Sequence, residues 1–174
     1  MRPTTLDFYG YDRCQTILDD AKFHLVERGG ALPIEISKSG AEKNSTPVYN
    51  ESRKTLLVLP LDKNVPLKKK DSPHDDESLC DVLIQTHQNN DVIIFAELKN
   101  RRTSPVKEAA KQLAITLAAY EEHHTGKLAS FDVRWAYITH RYHHHAKQAY
   151  FNLSSLFRKE YGVKLHIRKD IIVP

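Results

Sequence analysis

Three residues have the types and spacing for hydrolytic chemistry: Asp81, then Glu97 after fifteen intervening residues, and Lys99 two residues further on. Glu97 and Lys99 close the stretch DVIIFAELKNRR, in which five apolar residues, Val92 to Ala96, run straight into charge. In a strand, side chains alternate between faces, so Ile93, Phe95, Glu97 and Lys99 share one. Asp81 opens a second apolar run, and HQNND between the two runs has hairpin chemistry, because Asn tolerates the positive φ of tight turns. With the turn centred on Asn89, paired positions sum to 178 and Asp81 lies opposite Glu97. Directly opposed residues have Cβ atoms about 4.5–5.5 Å apart. A two-residue Asn89-Asn90 turn would shift the register by one and separate the acids, unless a bulge restored it.

Two facing carboxylates repel unless a cation lies between them. Asp81, Glu97 and the backbone carbonyl of Leu98 are three hard oxygen donors of the kind Mg²⁺ (or Mn²⁺) takes beside water and phosphate. Lys99 would point at the same place, where it could orient or help deprotonate a water and offset phosphate charge.

The elements that must position these residues follow from periodicity. Residues 12–28 place Cys14, Ile17, Leu18, Ala21 and Leu25 at helical spacing, which predicts a helix ended by Gly29-Gly30. Residues 31–36 form a short apolar piece, and residues 37–54 read as a polar loop. Thr55 to Leu61 predicts a strand with Pro60 at an edge. Residues 63–78, with lysines and acids on either side of Ser72-Pro73, predict a mobile loop. After strands at 80–86 and 92–98, Ala109, Leu113, Leu117 and Tyr120 give a helix over 106–123, with Ser104 as N-cap and Pro105 in its first turn. Residues 131–139 alternate as a strand, 144–161 read as a helix stopping at Gly162, and 164–173 as one strand or two short ones. This order predicts an α/β fold with a mixed sheet. The helix between strands 92–98 and 131–139 is long enough for a crossover, so those strands should be parallel and adjacent or nearly so.

The 174 residues suit one domain, with no independent second one. No apolar run approaches a membrane span, and the N-terminus lacks an apolar leader core, so no membrane association is expected. Two cysteines, Cys14 and Cys80, fit a reduced cytoplasmic setting better than a disulfide framework. The net charge of +4 is uneven: residues 1–98 hold 12 Lys/Arg against 16 Asp/Glu, and residues 99–174 hold 14 against 6. A basic C-terminal half suits a polyanionic partner. Arg101, Arg102, Lys107 and Lys111 follow Glu97 and Lys99 directly and could hold a phosphate backbone.

Asp81 followed after fifteen residues by Glu97-Leu98-Lys99 resembles the PD-(D/E)xK nuclease superfamily, with its restriction-endonuclease-like fold. Where that family has Pro before the acid, this chain has Cys80. The resemblance implies a mixed sheet flanked by helices, catalytic Asp81, Glu97 and Lys99, and Gln112 of the following helix near the active site. It also implies an acid on the first helix, for which Asp19, Asp20, Glu27 and Glu35 all stand open. The implied activity is Mg²⁺- or Mn²⁺-dependent hydrolysis of nucleic acid, DNA before RNA, in defence against foreign DNA or mobile-element biology. A homodimer or a partner protein would supply targeting. A nuclease-like domain that only binds nucleic acid or protein is the other reading. The His-rich THRYHHH at 139–145 lacks the further ligands of a zinc site and reads as solvated or lining the nucleic-acid surface. Tyr120, Trp135 and Tyr137 read as core.

Overall fold

The computed structural model describes residues 6–29, 32–40, 43–72, 74–99, 106–140 and 147–174. Ten strands form two sheets among these residues: β1 (Thr16–Leu18), β2 (Lys22–Val26), β3 (Glu35–Ser37), β4 (Ser45–Tyr49), β5 (Leu56–Pro60), β6 (Val82–Thr86), β7 (Val92–Lys99), β8 (Val133–His140), β9 (Lys164–Arg168) and β10 (Ile171–Ile172). The helices are α1 (Val106–His123) and α2 (Lys147–Tyr161). One sheet runs β1-β5-β6-β7-β8-β9 and the other β10-β4-β2-β3. Both mix parallel and antiparallel pairs, so the chain is mixed α/β.

The larger sheet is the middle layer, because alternation gives it two apolar faces. Leu83, Ile93, Phe95, Ala136 and Ile138 pack against Leu113 and Leu117 of α1 and Phe157 of α2. The opposite face, with Val58, Ile84, Ile94, Ala96 and Leu98, packs on Phe23, Leu25, Val48 and Ile171 of the second sheet. Covered on both sides, β5, β6 and nearly all of β7 are buried, which explains their continuous apolar runs.

The hairpin has the expected register. Val82 faces Ala96 and Gln85 faces Ile93, so partners sum to 178 and the turn centres on Asn89. Its chemistry differs from expectation, since among the described residues the non-Gly positions with positive φ are Arg53 and Lys63, neither in this turn. Side chains close the turn instead. The Thr86 hydroxyl donates to Asn89 O at 2.9 Å and accepts from Val92 N at 3.2 Å, while Asn89 Oδ1 accepts from Asp91 N at 3.3 Å. Strands β7 and β8 are parallel and adjacent, joined through α1 at its expected bounds. Gly162, at φ 65°, ends α2 as expected.

Three expectations are corrected. The helix predicted over 12–28 is a short 3₁₀ turn (Asp12–Cys14) followed by β1 and β2. Ile17, central to the helical stripe, is 54% exposed, whereas Phe23, His24, Leu25 and Val26 are buried in succession. A one-sided helix would leave part of that run in water, while in β2, an inner strand between β4 and β3, all four are buried. The predicted loop at 37–54 contains β4, an inner strand of the second sheet. Pro60 is not on an edge strand, since β5 lies between β1 and β6. Leu61 N–H points to Asp81 O of the β6 side, so alternation turns Pro60 towards β1, whose pairing has already ended at Thr16 and Val58. The missing N–H therefore breaks no ladder bond. Residues 63–78 hold no helix or strand among the described positions, but Lys68 and Asp76 form a bridge and an ion pair at 2.6 Å. Ser104 and Pro105 lie outside the described residues.

Candidate active site

The 178 register carries one step past the last ladder pair and sets Asp81 opposite Glu97. Leu83 and Phe95, two residues inward on each strand, both pack on the α1 side, so both acids face that side. The Leu98 N–H donates to Asp81 Oδ2 at 2.6 Å, fixing this carboxylate to the backbone between Glu97 and Lys99. A strand residue sends its N–H and C=O to the same edge, so the Leu98 carbonyl also lies on the Asp81 side. Lys99 Nζ sits 2.6 Å from Glu97 Oε1 and donates to Gln112 Oε1 at 3.0 Å. Gln112 lies in the second turn of α1, and the crossover to β8 holds that end of the helix over the strand ends.

Burial dominates the electrostatics. Glu97 is 2% exposed, and its Oε2 is buried with no hydrogen-bond partner. Burial and then the charge of Asp81 push the Glu97 pKa far up, against the pull of Lys99. Burial likewise raises Asp81, against the Leu98 N–H bond, and the charges of Glu27 and Asp62 add to the rise. For Lys99, burial works to lower the pKa, but attraction and hydrogen bonding to Glu97 outweigh it and the ammonium is held above its usual range. A buried Glu97 and a half-buried Asp81, both with raised pKa, and one orphaned oxygen are the state a bound cation would relieve.

Among the acids left open for the further position, Glu27, just beyond β2, lies near enough for its charge to act on Asp81 and Lys99. Asp20 pairs with Lys38 at 2.7 Å, Glu35 pairs with Arg28 at 2.6 Å in solvent, and Asp19 is exposed. Asp62 was not foreseen, although its place just past the β5 apolar run, beside Cys80 and Asp81, was the available signal. Among the described residues no three His, Cys, Asp or Glu side chains are disposed to hold a metal ion. The donor set here is two carboxylates and a carbonyl.

Lys107 and Lys111 are exposed at the start of α1, while Arg101 and Arg102 lie outside the described residues. Of the His-rich stretch, His140 is described: it is buried, pairs in register with Lys99, and by alternation with Ile138 shares the face of the site. His123 and His124 serve elsewhere, accepting the backbone N–H groups of Leu6 and Phe8 at 3.2 Å each. Tyr120 and Tyr137 are core as expected, whereas Trp135 is half-buried beside His166, ring centroids 4.7 Å apart. No described helix is long and apolar enough to cross a membrane. No family model matches the chain, no curated protein matches its sequence, and no solved structure matches it.

Proposed function

We propose that this chain is a divalent-metal-dependent nuclease of the PD-(D/E)xK type, built on a restriction-endonuclease-like version of the mixed α/β fold. The observation that carries the reading is the carboxylate pair of half-buried Asp81 and buried Glu97, with Glu97 Oε2 unpartnered and Lys99 Nζ held at 2.6 Å and 3.0 Å between Glu97 and Gln112. A hard-oxygen set of Asp81, Glu97 and the Leu98 carbonyl fits Mg²⁺ or Mn²⁺, which when bound would supply Lewis acidity for a water and neutralise phosphate charge.

Within that reading the protein's own groups have separate tasks. Asp81 and Glu97 must give up the protons that burial lets them keep. Lys99 presents a fixed positive charge to the scissile phosphate and a hydrogen bond to the attacking water. Gln112 aims the lysine from α1. Lys107 and Lys111, exposed just beyond, suit the phosphate backbone of a polyanion, DNA being the first substrate to test. A role in defence against foreign DNA fits such an activity and belongs to the same proposal, as do a cytoplasmic setting and a homodimer or targeting partner.

The test is cleavage of supercoiled, linear and single-stranded DNA and of RNA with Mg²⁺ or Mn²⁺, for the native chain and Glu97→Ala. The expected result is divalent-dependent cleavage lost in Glu97→Ala with nucleic-acid binding kept. Binding without cleavage by the native chain, together with no metal heat in calorimetry, overturns the proposal in favour of a nuclease-like binding module.

A further inference from the structure

Thr116 lies one helical turn beyond Gln112, fully buried, and its hydroxyl joins the two halves of the site. The Cys80 N–H donates to Thr116 Oγ1 at 2.7 Å, and Thr116 Oγ1 donates to the Gln112 carbonyl at 2.8 Å. Cys80 immediately precedes Asp81, and Gln112 holds Lys99. The Asp81 carboxylate returns to the other strand through the Leu98 N–H at 2.6 Å. A closed ring therefore runs Asp81, Cys80, Thr116, Gln112, Lys99, Leu98 and back to Asp81.

This accounts for the residue before the acid. The resembled family has Pro there, and Pro has no N–H. Here that N–H is buried and must be paired, and Thr116 is the group that pairs it. The i−4 back-bond of a helical Thr otherwise brings a helix little, yet here it spends the hydroxyl's one proton on Gln112 and leaves its lone pairs for Cys80.

We infer that Thr116 is a positioning residue: it fixes the Asp81 carboxylate relative to the Gln112–Lys99 pair, so cation affinity at the site depends on a hydroxyl that touches no ligand. The inference rests on the metal-site reading above. Hydrogen bonds of this outer kind typically change metal affinity by about 10–100-fold.

The experiment is Mn²⁺ titration by calorimetry at several pH values on the native chain, Thr116→Val, Thr116→Ser and Cys80→Pro, with near-UV circular dichroism to verify packing. Thr116→Val keeps the shape and removes the hydroxyl. It should weaken Mn²⁺ by about 10–100-fold, with the full shift at every pH, while Thr116→Ser restores native affinity. Cys80→Pro removes the donor from the other end and should reproduce the loss, which keeps the test alive if Thr116→Val does not fold. Native Mn²⁺ affinity in a folded Thr116→Val or Cys80→Pro overturns the positioning role alone. No Mn²⁺ binding by the native chain overturns the metal site and this inference together.

Discussion

The acid pair should make the metal-free protein lose stability as pH rises, and removing one acid should flatten that loss. In the unfolded chain Asp81 and Glu97 titrate at about pH 4; in the fold, burial raises both well above that. Between about pH 5 and pH 7 the native state then binds more protons than the unfolded state. Stability rises with pH only where the unfolded chain holds more protons, so in this window the pair's contribution falls. One proton retained across two pH units is worth roughly 3 kcal/mol, at about 1.4 kcal/mol per unit. The raised Lys99 ammonium stays charged in both states throughout this window, its own contribution being lost only at alkaline pH. Glu97→Gln keeps the size of the side chain and an oxygen for Lys99 but removes one titration. Thermal melting in EDTA at pH 5, 6 and 7 should show the native melting temperature falling relative to that of Glu97→Gln, by about 6–12 °C over the range for a chain of this size. Groups common to both proteins cancel in the difference. Parallel pH curves for the two proteins would refute the claim that Glu97 is held protonated, and with it the electrostatic case for a cation site.

Mn²⁺ must displace those protons, so its affinity should strengthen by about tenfold per pH unit for each proton released; calorimetry in buffers of different ionisation enthalpy checks this, and a pH-independent affinity contradicts it. On the proposed nuclease reading, Lys99→Met should lower cleavage by about 10²–10⁴-fold while the fold is kept, and gel-based cleavage rates beside far-UV spectra measure it. Tyr9→Phe should cost about 1–3 kcal/mol in urea unfolding, because the Tyr9 hydroxyl bonds Gln85 Oε1 at 2.7 Å and Tyr120 at 2.6 Å and both would lose a buried partner.

The legible parts of the chain were those where a local pattern and its tertiary cover agree. The α1 stripe is one-sided in sequence and one-sided in fact, with Leu113 and Leu117 on the sheet and Lys111 in water. The runs of β6 and β7 are apolar throughout because layers cover both faces of their sheet. Residues 12–28 misled because apolar positions at helical spacing also occur in two short strands broken at Asp19-Asp20, and only the neighbours of β2 decide between them. β4 was hidden by Pro47 and flanking polar residues. It is a strand because β2 and β10 pair with it on either side.

For the site, the sequence by itself determined one strand pair. Alternation put Glu97 and Lys99 on one face, because strand geometry has a fixed period of two, and the β6–β7 ladder then selected the register centred on Asn89, which sets Asp81 opposite Glu97, over the one shifted by a residue. Tertiary structure decided everything reached through α1 or the second sheet. Packing of the helix on the sheet brings Gln112 to Lys99 and Thr116 to Cys80, and the β2 end brings Glu27 within range of Asp81. Burial also belongs to the fold alone, since no spacing in the chain can say that Glu97 would be left 2% exposed with an oxygen unpaired. A pair of acids is a pattern in the sequence, but their withheld ionisation comes from the layers that exclude water around them.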